Sequence, residues 1–373
     1  MKRAVFEWAG LVLLCCLAAP ALAQNDCDCQ AYSQLIKKEI SFRPDGLLRV
    51  SNKYGPVELH GWDKSRLRVE ARVEVKAASE AYAIPVFERI QIHTEGTTGQ
   101  AVVVRTEIKD KQQDWWRWGA VELEDYTVSY VIHLPRAASV RVSNKHGDVA
   151  LNELEGQLTL FLMHGQLNAQ GLSGLLVADL SHGKANIRDA GELSLKVKDV
   201  KMHLNEARRA NIDSRYSTLK LEEVGEVNAQ SRYDTYRASE VGFFRNEGKY
   251  DLLEISEVGD VDIRSGLSEV FIREPKSRVR LQVDSSEVLV EDIYQHFDFI
   301  DLSGEGSNFR LKMEEGAEYQ LDAVGSQINY PRALQVRYEQ VAGRQHEVKG
   351  YHGSKGGRAL IRARISNGSF QLD

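Results

Sequence analysis

The sequence predicts an all-β protein: a parallel β-solenoid (β-helix) of about 17-residue rungs with an N-terminal β-rich capping module. A repeat, an alternation inside it and like residues at its corners carry that reading. From Val140 to Ile293, apolar residues recur at offsets 0, 2, 9, 11 and 14, as in Val140, Val142, Val149, Leu151 and Leu154. Further rungs start at Leu158, Leu176, Leu193, Ala210, Val227, Phe244, Val261 and Val279, at a near-constant interval, with Asn246 a polar lapse. A fixed period of this kind marks a repeat array. Each rung holds two short runs of period-2 alternation, the pattern of strands with one buried face. Offset 6 carries His146, His164 and His182, then Tyr216, Tyr233 and Tyr250. A meander of hairpins shares the period, but its like corners sit two strands apart. In a solenoid like offsets stack about 4.8 Å apart, where similar rings form ladders. Gly156, Gly174, Gly191, Gly225, Gly242 and Gly259 mark the second corner, where glycine is expected to supply a positive φ.

Taken in order, residues 1–23 read as a cleavable signal peptide: Lys2 and Arg3, an apolar run from Leu11 to Leu17, then Ala21-Leu22-Ala23. The run is too short to span a bilayer. Cys15 and Cys16 leave a lipoprotein as the alternative. Residues 24–47 hold Cys27 and Cys29, read as a local disulfide, an intermolecular link or a tethered, partly disordered N-terminus. Residues 48–139 are the first rung plus the capping module. Leu48, Val50, Val57, Leu59 and Trp62 repeat the frame, and 67–75, 87–92, 101–108 and 126–134 read as longer strands. A cap is expected because an open solenoid end exposes core and strand edges. In the cap, Trp115, Trp116, Arg117 and Trp118 are either an exposed contact site or a loop packed over the end. Residues 140–330 are the repeats. Residues 331–359 form a basic, Gly-rich excursion expected to be a mobile hairpin or loop, and 360–373 the terminal rung. Twelve main-array rungs predict a rod of roughly 55–60 Å.

Removing Lys2, Arg3 and Glu7 with the signal peptide takes the formal net charge from −6 to −7. That argues against a nucleic-acid partner, and no later stretch is long and apolar enough to be a transmembrane segment of the mature chain. The His column suits a stacking ladder better than a zinc site, because stacked rings point the same way. Offset 13 carries an acidic file: Glu153, Asp189, Glu206, Glu223, Glu240, Glu257, Glu274 and Asp292. Its carboxylates either splay into solvent and pair with nearby arginines or hold calcium, with Glu223, Glu240 and Glu257 the candidate ligands. Acids and bases are dispersed along ladders, and no nucleophile or phosphate-loop motif stands out.

Three stretches resemble the bacterial putative-adhesin family of exported β-solenoid proteins. They are Val50-Ser51-Asn52-Lys53-Tyr54-Gly55-Pro56-Val57 with Gly61-Trp62-Asp63, then 130–149, then Ile365-Ser366-Asn367-Gly368-Ser369-Phe370. Pro56 stands where the family has Asp or Asn. The resemblance spans nearly the whole mature chain. It implies the fold and brings no catalytic residues. The expectation is a non-enzymatic exported protein of the periplasm, cell surface or medium, an adhesin or envelope-associated binding or scaffold protein. Its expected partner is a protein or glycan of the cell envelope, with no cofactor unless calcium binds. The runner-up is a carbohydrate-active β-helix enzyme, a polysaccharide lyase or hydrolase.

Overall fold

The computed structural model describes residues 30–97, 99–109, 125–354 and 357–373. Residues 1–23, expected to be a signal peptide, and Cys27, Cys29 and Trp115–Trp118 lie outside the described residues. The described chain is all-β apart from one helix. Its strands pair parallel and in register: Met202 with Leu219, Leu219 with Tyr236, Tyr236 with Leu253, Leu253 with Val270. The interval is constant there, longer by one between Leu158 and Leu176 and between Val270 and Val288, and longer by four between Val288 and Phe309. Each pairing places an inward residue on an inward residue. Leu219, Tyr236, Leu253 and Val270 are all fully buried, because a shift of one residue would turn the whole apolar set to solvent.

The first rung stacks directly on the array across some ninety residues of chain: Leu48 pairs with Val140, Val50 with Val142, Val57 with Val149. Its other edge takes Ala101–Ile108 and Asp125–Pro135, both parallel. The end then turns antiparallel. Arg66–Ala77 pairs with Asp125–Pro135 and Gln30–Ser41, and Ile90–Thr97 with Ala101–Ile108. One expectation fails here. The stretch 87–92 is strand only from Ile90 on, since Glu80–Arg89 is an α-helix with Ala83 and Val86 buried. Ala83, Val86, Phe87 and Ile90 fall at i, i+3, i+4 and i+7, a helical spacing that Pro85 disguises. Glu80 in its first turn and Arg89 in its last suit the helix dipole.

The C-terminal end reorders the rungs. The last strand, Ala359–Leu372, does not lie outermost. It slots between two earlier rungs, pairing parallel with Phe299–Glu305 and Asn308–Met313 on one side and with Tyr319–Asn329 on the other. Ile300, Ile361 and Leu321 thus form one inward column, all buried. The excursion is an ordered antiparallel hairpin, Gln335–Ala342 with Gln345–His352, turning at Gly343 (φ 62°). Gln345–His352 pairs antiparallel with Tyr319–Asn329 and covers half of that outer rung, with His352 stacked on Tyr319 at 5.2 Å.

The corner glycines serve a different purpose from the expected one. None of Gly156, Gly174, Gly191, Gly225, Gly242 and Gly259 has a positive φ. They permit close approach: a Cβ on Gly242 would stand 2.5 Å from the Gly225 carbonyl oxygen, and one on Gly259 2.4 Å from that of Gly242. Left-handed backbone falls on the aromatic corner, at His164, His182, Tyr216, Tyr233 and Tyr250 (φ 53–63°), and at the second corner on the offset 13 residues Glu153, Gly171, Glu274 and Asp292 (φ 50–64°). Such a conformation in non-glycine residues costs about 1–2 kcal/mol each and persists because the stacked rungs impose it.

Candidate functional site

Three features run along the stacked rungs, and each follows from one column of the repeat. The first is the aromatic corner. Tyr54, His146, His164 and His182 stack with ring centroids 5.4, 5.2 and 5.0 Å apart. Tyr216, Tyr233 and Tyr250 stack at 5.2 and 4.7 Å and stay exposed at their edges. Asp199 fills the column between the two runs, and its carboxylate lies 3.3 Å from His182 Nδ1. Lys53 and Tyr54 match Lys145 and His146, and Tyr54 heads the histidine run.

The second is a buried polar ladder. At offset 7, Ser217, Asp234, Asp251, Ser268, Ser286 and Ser307 are all buried. Each side chain accepts the backbone N–H of the residue one rung earlier. The distances run from 2.7 Å for Ser217 N–H to Asp234 Oδ1 to 3.2 Å for Ser286 N–H to Ser307 Oγ. Val200 N–H donates likewise to Ser217 Oγ. These bonds satisfy corner donors that the ladder of the sheet leaves over. Ser214 donates to Asp234 and bonds the hydroxyl of buried Tyr236 at 2.6 Å, and Asn246 donates to Ser231. Asn246 is therefore a working member of this network. The column was visible in the sequence only as small polar residues beside a turn.

Burial raises the Asp234 and Asp251 carboxyls above their ordinary range, against the bonds from Ser214 and Ser217 and from Asp234 N–H and Ser231 that lower them. A raised folded-state pKa contributes stability that is full below the unfolded value and is lost as pH rises through the folded one. An Asp234→Ser/Asp251→Ser variant keeps the acceptor that the column uses elsewhere and removes both titrations. We expect the stability of the native protein relative to this variant to be greatest in acid and to fall towards neutral pH. Urea midpoints measured across that range check it, and a constant difference contradicts it.

The third is a shallow trough of about 760 Å³ on the outward face of the offset 1 and 3 positions, running from Thr159 to Glu247. Its floor is the column Thr159, Val177, Ser194, Asn211 and Asn228, with Phe161, Asp179, Lys196, Asp213 and Gln230 beside it. Further along the same column, Arg245, Asp262, Arg280, Asp301, Arg362 and Asp322 alternate in sign rung by rung. Neighbours of opposite sign compensate each other, so that part of the face is electrostatically closed. From Thr159 to Asn228 the floor column is uncharged, Arg245 closes its end, and Asp179, Lys196, Asp213 and Glu247 carry charge beside it.

The acidic file holds its register but does not converge. Glu223 pairs in register with Glu206 and Glu240, and Glu240 with Glu257, all three candidates being exposed. Glu153 pairs with Arg136 at 2.7 Å and Glu257 with Lys276 at 3.2 Å, while Asp189 accepts the Gly171 N–H. Among the described residues, no three His, Cys, Asp or Glu side chains group so as to hold a metal ion. Nor is any helix among them long and apolar enough to cross a membrane.

No family model and no curated protein matches the chain. Among solved structures it is similar to a putative adhesin from Parabacteroides distasonis, at 9% identity and TM-score 0.29, covering 91% of this chain and 97% of that one. A putative cell adhesion protein from Clostridium sporogenes aligns at 9% identity and TM-score 0.22, over 92% and 99% of the two chains. A putative lipid binding protein from P. distasonis aligns at 11% and 0.23, over 91% and 97%. Most of these neighbours thus carry the adhesin description that the chain's strand-and-turn motifs resemble. At TM-scores this low the superpositions carry no weight for function.

Proposed function

We propose that this chain is a non-enzymatic, exported β-solenoid whose trough holds an extended glycan of the cell envelope along the axis of the rod. The observation that carries this reading is the break in the charge column. Where the face is merely surface, Arg245 to Asp322 alternate in sign. Along most of the trough the same column holds Thr159, Val177, Ser194, Asn211 and Asn228, and Arg245 closes its end. Asn211 and Asn228 offer amide donors and acceptors to sugar hydroxyls, and exposed Phe161 offers a ring at one end. The trough is open and shallow, which suits a polymer lying along it better than a small substrate enclosed for chemistry. Acids elsewhere pair with bases one rung away, as in Arg237 with Glu254 and Arg209 with both Glu226 and Glu192, a pattern of surface ladders and not of a catalytic pair. The parallel, in-register pairing over successive rungs supports the solenoid and gives the trough a rigid floor.

Retention on isolated peptidoglycan sacculi and purified envelope polysaccharide tests this. A Phe161→Ala/Asn211→Ala/Asn228→Ala variant should lose at least about tenfold in affinity, roughly 1.4 kcal/mol, with its melting temperature nearly unchanged. Asn168→Ala/Asn186→Ala, on the opposite face, should bind as the native protein does. Equal losses in both variants, or no retention of the native protein, overturn the reading.

A further inference from the structure

We infer that the glycan in the trough is acidic, and that a file of unpaired cations along one rim takes one carboxylate per repeat. This deepens the reading of the trough as a glycan site and rests on it. Lys198, Arg215, Arg232 and Lys249 occupy offset 5 in four consecutive rungs, on the outward face and one column beyond the offset 3 residues that line the trough. Arg215 pairs in register with Arg232, and Arg232 with Lys249. Lys198 precedes Arg215 by the same interval. The file is bounded by Ser181 at one end and Gly266, which pairs with Lys249, at the other.

All four are exposed, and none makes an ion pair with a described residue. On the opposite rim the charges are matched, Arg208 with Glu192 and Arg209 with Glu226, both at 2.9 Å. Like charges about one strand spacing apart repel by about 1 kcal/mol in water, and a polyanion laid along the file would relieve that repulsion. Two of the cations are already placed: Arg232 lies over the Tyr233 ring at 5.6 Å and Lys249 over Tyr250 at 5.0 Å. The column one step further in carries both signs, Asp179, Lys196, Asp213 and Glu247, so the unbroken run of cations is the offset 5 file alone.

The spacing and the rings favour a glycan over other polyanions. An extended polysaccharide advances by about one sugar per rung, so an acidic sugar can meet one cation per rung. Single-stranded nucleic acid binds by stacking its bases on open aromatic faces. Here both faces of Tyr233 are covered by Tyr216 and Tyr250, at interplanar angles of 4° and 1°, so no row of open faces runs along the column and its continuous surface is the hydroxyl-bearing edges. Those edges suit sugar hydroxyls.

Polygalacturonate, a carboxylate on every sugar, is the probe, with dextran and isolated sacculi as references, all with the mature full chain. The native protein should bind polygalacturonate at least tenfold more tightly than dextran. Lys198→Gln/Arg215→Gln/Arg232→Gln/Lys249→Gln should lose that preference, keep its binding to sacculi and melt as the native protein does. Its dependence of log affinity on log salt should be shallower by about 3, from four lost ionic contacts. An Arg215→Lys/Arg232→Lys variant should retain the preference. If sacculi bind but polygalacturonate does not, or binds the quadruple variant equally, the inference fails and the trough reading stands. If neither ligand binds, both fail. If the four cations govern binding to oligothymidylate or phosphatidylglycerol vesicles and not to polygalacturonate, the partner is of another class and the inference is overturned.

Discussion

Leu219→Asp is expected to destabilise the protein by about 4–5 kcal/mol or more. Leu219 is fully buried, and its neighbours in the column, Met202 and Tyr236, are inward too. The substitution removes apolar contacts and leaves an unpaired carboxylate where no donor awaits it. Effects of this size arise from few mechanisms, a buried unpaired charge among them. Because each rung touches only its neighbours, the loss should be local first. Amide exchange should accelerate from Met202 to Tyr236 before it does near Val270. Lys220→Asp, one residue away and exposed, gives up only its surface ion pair with Glu222 and should cost about 1 kcal/mol or less. Chemical-denaturation midpoints of the two variants check this. Equal midpoints would mean that the inward frame is wrong.

Gly242→Ala should cost about 2–3 kcal/mol, although alanine suits a strand better than glycine does. The added Cβ would meet the Gly225 carbonyl oxygen at 2.5 Å, so two rungs must part or the corner must shift. Gly266→Ala is the control: the nearest atom to its Cβ would be 3.8 Å away, in ordinary contact, and the change should stay within about 0.5 kcal/mol. Thermal melts of the pair separate close approach from backbone conformation as the reason for glycine at this corner. Equal losses would contradict the packing account.

Much of the fold was legible because it depends on alternation, which a single rung displays. Val140, Val142, Val149 and Leu151 announce their inward side without help from the rest of the chain. What escaped depends on information that one rung does not hold. The left-handed corner falls on His164 and Tyr216 because stacking imposes it, whereas intrinsic preference points to glycine. The glycines sit where the neighbouring rung comes close, a property of the stack. The polar ladder from Ser217 to Ser307 pairs each side chain with a rung away in sequence, so its members look like ordinary turn residues. The placement of Ala359–Leu372 beneath Tyr319–Asn329 could not be read, since both strands carry the same alternation and either could follow Phe299–Glu305. Of the site, the aromatic corner was visible as a run of like residues. The trough was not, because its mark is a run of uncharged residues in a column that is charged on either side, Arg49 and Arg141 before it and Arg245 and Asp262 after it. The basic file was hidden in a chain whose overall charge is acidic.

The central claim is that successive repeats stack as parallel rungs, one strand spacing per repeat. Pulsed dipolar spin-label distances between positions 220 and 310, with Cys27 and Cys29 changed to Ser, test it most directly. The two positions share one outward column and are five rungs apart, through Arg237, Glu254, Phe271 and Leu289. Stacked rungs predict a narrow distribution at about 24 Å, or ~4.8 Å for each step. A meander, with two strands per repeat, would place the labels about 48 Å apart, and that result would contradict the account.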